Sequence, residues 1–299
     1  MVRTVLRGAA ALVALAPVLC GQLSTGELLA ALSRHAETFR QRAHQVVSEE
    51  KLLQRSYALP PHPHFAIGKS AGDLRAHYLV QEVVSEYTIA SLKGDTSGTL
   101  LETREILAKD GKPVQTPAEA RKALLTDVSY GEERLRKKIL SEFTRLGLLD
   151  VATDYGTILL AFTGAGMSDL TISPAGPAWV GIDEAYVFDW QQDRGGALEF
   201  RGRKVAHRPM SGRIWLRLSD GMPLRISAVI SHSEPKHELQ DDAAVEFAPS
   251  VAGCAMPVSV VHRHFVDGKI LTENLYTYTP FRVFTTDTRI EFGAPVSRE

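Results

Sequence analysis

From Trp179 to Phe292 the sequence is a succession of short alternating segments separated by turn residues, a pattern that an antiparallel meander satisfies and few other folds do. Its clearest unit is Arg213-Ile214-Trp215-Leu216-Arg217-Leu218, then Ser219-Asp220-Gly221, then Met222-Pro223-Leu224-Arg225-Ile226. A loop of only Asp220 and Gly221 would set Leu216 opposite Arg225 and aim the two apolar sets at opposite faces. A three-residue loop with Gly221 in the left-handed region pairs Leu218 with Met222, Leu216 with Leu224 and Ile214 with Ile226, and this register is expected. Further strands are expected at about 180–191, 197–206, 212–219, 222–232, 243–249, 256–267, 269–280 and 287–292, with a hairpin turn at Asp267-Gly268.

Upstream the pattern changes. After caps at Ser24 and Thr25, Leu28, Leu29, Leu32, Ala36, Phe39, Ala43 and Val46 recur at three- and four-residue spacing, which predicts an amphipathic helix over about 25–45. A first strand follows from Val46 to Tyr57. Pro60-Pro61-His62-Pro63-His64 reads as a surface loop, because three prolines remove donors and fix φ. Long strands are expected at 74–92 and 99–109, joined by the turn Lys93-Gly94-Asp95-Thr96-Ser97-Gly98. Thr116-Pro117 with Glu119 starts a helical region reaching Leu149, broken near Val128 to Gly131. The apolar run Thr157–Phe162, ending at Gly164-Ala165-Gly166, fits a strand or a buried helix equally by periodicity. With helices inserted in the strand order and no linker, the chain from 22 to 299 reads as one α+β domain.

The first 21 residues stand apart. Arg3 and Arg7 precede an apolar run from Ala9 to Leu19, the pattern of a secretory signal peptide and too short to span a membrane. Cleavage near Gly21-Gln22 would leave a soluble periplasmic or secreted chain. Lipid attachment at Cys20 is the alternative, although Pro17-Val18-Leu19 departs from the usual signal for it. Without these residues the chain keeps 32 basic and 35 acidic residues, and no basic stripe points to nucleic acid. Cys254 is then the sole cysteine, read as a small buried hydrophobe rather than a reactive thiol.

Catalytic motifs are sparse. There is no Gly-x-Ser-x-Gly elbow, His237-Glu238 does not extend to His-Glu-x-x-His, and Gly164-Ala165-Gly166 completes no nucleotide-binding motif. His262 and His264, two apart on a strand, share one face. If the Asp267-Gly268 loop has two residues, Glu273 lies opposite His262 and completes a weak His-His-Glu metal set. Asp183, Glu184 and Asp189 supply carboxylates of the kind a glycosidase uses, but their spacing is also that of a charged outer sheet face. Tyr186, Phe188 and Trp190 share a strand face, where they line an apolar groove or fill the core. No cofactor is expected.

The order of elements resembles the periplasmic lipoprotein-carrier superfamily, the LolA/LolB-like proteins. The segments that carry the comparison are the Arg213–Leu216 hairpin with Asp220-Gly221, the stretch Tyr276-Thr277-Tyr278-Thr279-Pro280-Phe281-Arg282-Val283-Phe284, and Asp287–Phe292. The resemblance implies a strongly curved antiparallel sheet, an incomplete β-barrel, with amphipathic helices covering its concave side. It also implies a non-catalytic cavity for the acyl chain of a lipid or lipoprotein. Leu216, Leu224, Ile226, Tyr186, Phe188 and Trp190 are the residues expected to line such a pocket. Arg225, His262, Asn274 and Thr272 interrupt an otherwise apolar lining. Two other readings stand beside this one: an envelope protein-interaction module without a cavity, and a metal-assisted hydrolase using His262, His264 and Glu273.

Overall fold

The computed structural model describes residues 23–58, 77–91, 100–127, 132–151, 154–192 and 209–283. Outside these lie the expected signal segment with Cys20, the expected proline loop with His62 and His64, the turn expected at Lys93–Gly98, the helix break expected near Val128, the strand expected at 197–206 and the closing Asp287–Phe292.

Helix α1, Thr25–Arg42, starts where its capping residues dictate. The Ser24 hydroxyl accepts from the Glu27 N–H, and the Glu27 carboxylate accepts from the Ser24 N–H at 2.8 Å. Its apolar stripe, Leu28, Ala31, Leu32, Ala36 and Phe39, is fully buried. A 3-10 turn at Ala43–Gln45 leads into β1, Val46–Ala58. There follow β2 (His77–Ser91), β3 (Leu100–Lys109) and β4 (Lys112–Pro113). Helices α2 (Pro117–Asp127) and α3 (Glu132–Arg145) come next, α2 opened by a second capping box between Thr116 and Glu119. The run Tyr155–Phe162 is neither strand nor α-helix but a buried 3-10 segment, with a shorter one at Gly166–Asp169.

The remaining strands are β5 (Thr171–Val180), β6 (Asp183–Gln192), β7 (Met210–Arg217), β8 (Pro223–Ser233), β9 (Glu238–Pro249), β10 (Ala255–Val266), β11 (Lys269–Tyr278) and β12 (Arg282–Val283). All twelve join one antiparallel sheet in the order β4-β3-β2-β1-β11-β10-β9-β8-β7-β6-β5, with β12 on the end of β1. The outer strands β4 and β5 do not pair, so the curved sheet stays open. This is the α+β architecture expected, with α1, α3 and the 3-10 segment packed into the same core as its inner face. No helix among the described residues is long and apolar enough to cross a membrane.

Strand β5 escapes the sequence reading because Pro174, Gly176 and Pro177 argue against a strand. It pairs only with β6 and is bulged between Pro174 and Gly176, an edge position that tolerates missing donors. In the β7–β8 hairpin Gly221 has φ +71°, and Ile214 faces Ile226 as expected. A register shift after Trp215 then sets Leu216 opposite Pro223, not Leu224. The extra residue sends Leu224 to the outer face, where it packs with Ala185 and Met222.

Candidate functional site

Because side chains alternate along each strand, the observed register turns the inner face of the sheet into transverse rows. One row is wholly apolar: Val83, Leu52, Tyr276, Val260, Val245, Ile226, Ile214 and Phe188, one from each of β2, β1, β11, β10, β9, β8, β7 and β6. Every member is buried. Seven strand spacings make this belt about 34 Å long along the curve.

On one side of the belt the rows turn polar over β2, β1, β11 and β10: Gln81, Gln54, Asn274 and His262 stand in line. They hold the connector after α3. Gln54 Nε2 donates to the Leu149 carbonyl at 2.6 Å and Gln54 Oε1 accepts from the Leu149 N–H at 2.9 Å. Asn274 Nδ2 donates to the Asp150 carbonyl at 2.9 Å and to His262 Nδ1 at 3.1 Å, while Asn274 Oδ1 accepts from Gln54. The Lys109 ammonium donates to the Leu146 carbonyl. The next row out contains Ser56, Thr272, His264 and Asp241. His262 Nε2 and His264 Nδ1 both donate to Asp241 Oδ1, each at 3.0 Å. Burial alone would raise the Asp241 carboxyl, but these two hydrogen bonds outweigh it and hold it well below the usual carboxylate range. The same bond raises the His264 imidazole. The Thr272 hydroxyl and the Gln192 amide are buried without a hydrogen-bond partner.

On the other side of the belt lies a cluster of charges. Arg104 Nε donates to both oxygens of Glu50, at 2.7 and 2.9 Å, and its Nη2 donates to Glu102 Oε2 at 2.7 Å. The Tyr87 hydroxyl donates to Glu102 Oε1 at 3.0 Å, and the guanidinium lies 5.0 Å from the Tyr87 ring centroid. These three charged side chains are at most 2% exposed. Burial pushes the Glu102 carboxyl up to about 7, only partly offset by Arg104. Burial pulls the Arg104 guanidinium down, yet Glu102 and Glu50 together hold it above its ordinary value.

The 3-10 segment Tyr155–Phe162 covers this face and touches both polar bands. The Tyr155 ring lies tilted at 5.2 Å from the His262 ring, and Phe162 meets Trp190 edge-on at 5.6 Å. At Gly156 a Cβ would lie 2.1 Å from Glu102 Oε1 and 2.9 Å from the Tyr87 hydroxyl, so only glycine lets the segment rest on the charge cluster.

Of the residues expected to line a pocket, Leu216, Ile226, Phe188 and Trp190 are buried in the main core, Tyr186 packs at its edge, and Leu224 lies on the outer face. Glu273 does not join the histidines. Asp267-Gly268 is a two-residue turn, but a register shift after His264 sets Glu273 opposite Arg263, to which it is paired at 2.7 Å. His262 faces Asn274 instead. No group of three His, Cys, Asp or Glu among the described residues is arranged to hold a metal ion. Asp189 pairs with Arg213 in an open groove of about 420 Å³, and Asp183 approaches Arg217 at 3.8 Å. Glu50, Glu102 and Arg104 escaped the sequence reading because β1 and β3 mix polar and apolar residues on both faces.

No protein-family model matches this sequence, and no curated protein matches it. Several solved structures are similar, among them these three. A LolA superfamily protein from Nitrosomonas europaea is 10% identical over 86% of this chain and 94% of its own, with a TM-score of 0.30. A DUF1329 family protein from Desulfovibrio piger is 9% identical over 87% and 94%, with a TM-score of 0.40. A domain named for outer membrane lipoprotein sorting, from Vibrio parahaemolyticus, is 8% identical over 86% and 92%, with a TM-score of 0.33. With identities of 8–10% and TM-scores of 0.30–0.40, these likenesses bring no residue, ligand or mechanism to this chain.

What the inner face can do follows from its layering. An apolar belt runs between two polar bands across the strands. The histidines and carboxylates beside the belt are committed to one another, and the belt itself is closed over by the chain's own lid.

Proposed function

We propose that the chain from residue 22 onward is a single-domain, non-catalytic carrier of the periplasm or exterior, which takes the acyl chain of a lipid or lipoprotein onto the apolar belt when the lid moves aside. The observation that carries this reading is the eight-residue row itself, covered by an apolar 3-10 segment. Tyr-Gly-Thr-Ile-Leu-Leu-Ala-Phe is a 3-10 run of eight residues, a geometry whose poorer hydrogen bonds make it easier to displace than an α-helix of the same length. An acyl chain replacing it would gain about 0.8 kcal/mol for each methylene buried. The signal-peptide pattern before residue 22 supports an address outside the cytoplasm.

The self-filled inner face favours a second reading, an envelope protein-interaction module that never opens. Native mass spectrometry of the protein purified from its own envelope, with organic extraction, separates the two. The carrier reading expects a stoichiometric apolar molecule, or uptake of added palmitate or phospholipid with a change in Trp190 emission as the Phe162 contact is lost. A bare mass with no uptake of either lipid overturns it and leaves the interaction module.

A further inference from the structure

We propose that the row Gln54, Asn274 and His262 is a proton-operated latch, which releases the backbone of Leu149 and Asp150 from the sheet when the His262 ring takes a second proton. The side chains of Leu149 and Asp150 are exposed, so these two residues are held to the inner face by their backbone hydrogen bonds to the row and not by apolar packing. The connector leads from α3 toward the 3-10 segment, and its release frees the root of the cover over the belt. The inference does not depend on whether the inner face carries a ligand.

The direction of every bond in the row follows from its fixed end. The Leu149 N–H is a donor, so the Gln54 atom it meets at 2.9 Å is Oε1, and Nε2 is left to donate to the Leu149 carbonyl and to Asn274. Asn274 therefore presents Oδ1 to Gln54 and Nδ2 to both the Asp150 carbonyl and His262 Nδ1. That ring nitrogen has to accept, and the single ring proton sits on Nε2, where it donates to Asp241 at 3.0 Å. A second proton, on Nδ1, sets N–H against N–H. Turning the Asn274 amide over satisfies the ring but points Oδ1 at the Asp150 carbonyl and Nδ2 at Gln54 Nε2. Turning Gln54 as well sets its Nε2 against the Leu149 N–H. The conflict ends on a backbone that cannot turn over, and the row loses its hold. Asp150 is also kept at φ +44°, a left-handed conformation that is costly for a residue with a Cβ.

The groups around the ring leave it as the place where the proton acts. Asp241, on β9, stays an anion, because its two histidine bonds hold it well below the usual carboxylate range. Tyr155, tilted beside the ring on the 3-10 segment, keeps its proton through burial, and Asp154 and Asp242 act on it from the connector side and from β9. Asp150 acts on His264. His264, on the same strand, supplies the opposing positive charge, yet its own charging leaves the row intact: its Nδ1 already donates to Asp241, so its added proton falls on Nε2.

The test is amide hydrogen exchange of the whole protein at pH 7 and at pH 5, the range over which imidazole gains its proton, with each rate divided by the intrinsic rate at that pH. Protection of the Leu149 N–H is expected to fall about tenfold or more at pH 5, the shift that follows the loss of one buried hydrogen bond, while amides in the middle of β9 and β10 keep theirs. His262→Gln is expected to abolish the change and His264→Gln to preserve it. Imidazole nitrogen spectra of the wild type, which serve even where His262→Gln does not fold, should show His262 Nδ1 without a proton at pH 7. Equal protection of Leu149 at both pH values overturns the proposal, as does a loss shared by β9 and β10, which is general acid unfolding. A loss that persists in His262→Gln or vanishes in His264→Gln, or a proton on His262 Nδ1 at pH 7, overturns it as well.

Discussion

Replacing Glu102 by glutamine should flatten the pH dependence of stability between pH 5 and pH 8. The Glu102 carboxyl is fully buried beside Glu50 and Arg104 and titrates at about 7 in the fold, against 4.5 when exposed. A carboxyl whose folded value is raised holds its proton more tightly in the native state than in the unfolded one. Its contribution is therefore neutral below about pH 4.5, grows unfavourable as pH rises, and levels off above about 7. At 1.36 kcal/mol per unit, the full penalty is about 3 kcal/mol, of which about 2–3 kcal/mol develops between pH 5 and pH 8. Glutamine keeps an acceptor for the Tyr87 hydroxyl but does not titrate. Urea unfolding of both proteins across this range supplies the comparison, and groups common to both cancel in the difference. Wild type should lose about 2–3 kcal/mol relative to Glu102→Gln as pH rises. Two parallel curves would show that Glu102 ionises in the fold as easily as in water, and the reasoning from burial would fail.

Gly156→Ala should lower stability by about 1–3 kcal/mol and shift Trp190 emission to the red, since its Cβ would strike a carboxylate pinned by Arg104 and Tyr87 and lift the 3-10 segment. Thermal melts and fluorescence read both effects. Asn274→Ala removes bonds to Gln54, His262 and Asp150, leaves buried polar groups unpaired, and should cost about 2–4 kcal/mol in urea unfolding, with faster amide exchange at residues 149–150. Thr272→Val keeps the shape and removes a buried hydroxyl that has no partner, so it should raise the unfolding free energy by about 1 kcal/mol.

The sheet was largely legible because period-two alternation marks a strand wherever one face is buried, as it does from Ala185 to Tyr276. Where both faces carry mixed residues the signal fades. On β1, Ser48, Glu50 and Gln54 face inward and Glu49, Lys51 and Arg55 outward, so nothing in the pattern announced that Glu50 sits in the core. Turn chemistry placed both hairpins but not their full registers. The Gly221 loop set Ile214 against Ile226, and a bulge then displaced Leu224. The Asp267-Gly268 turn would have aligned Glu273 with His262, and a bulge one residue beyond His264 moved it to Arg263. A bulge adds one residue to one strand, and with a period of two that is enough to exchange the faces.

By itself the sequence determined the capped helix at Ser24, most of the strands and turns from β6 to β11, the inserted helical region and the absence of familiar catalytic motifs. These depend on neighbours within a few residues, which share local hydrogen bonds and a common solvent boundary. Only the tertiary structure decided that Glu50, Arg104 and Glu102 meet, that Gln54, Asn274 and His262 hold the connector at Leu149 and Asp150, and that one unbroken apolar row crosses eight strands. Those groupings arise from the register between strands remote in sequence, where 220 residues separate Gln54 from Asn274 and a single hydrogen bond joins them.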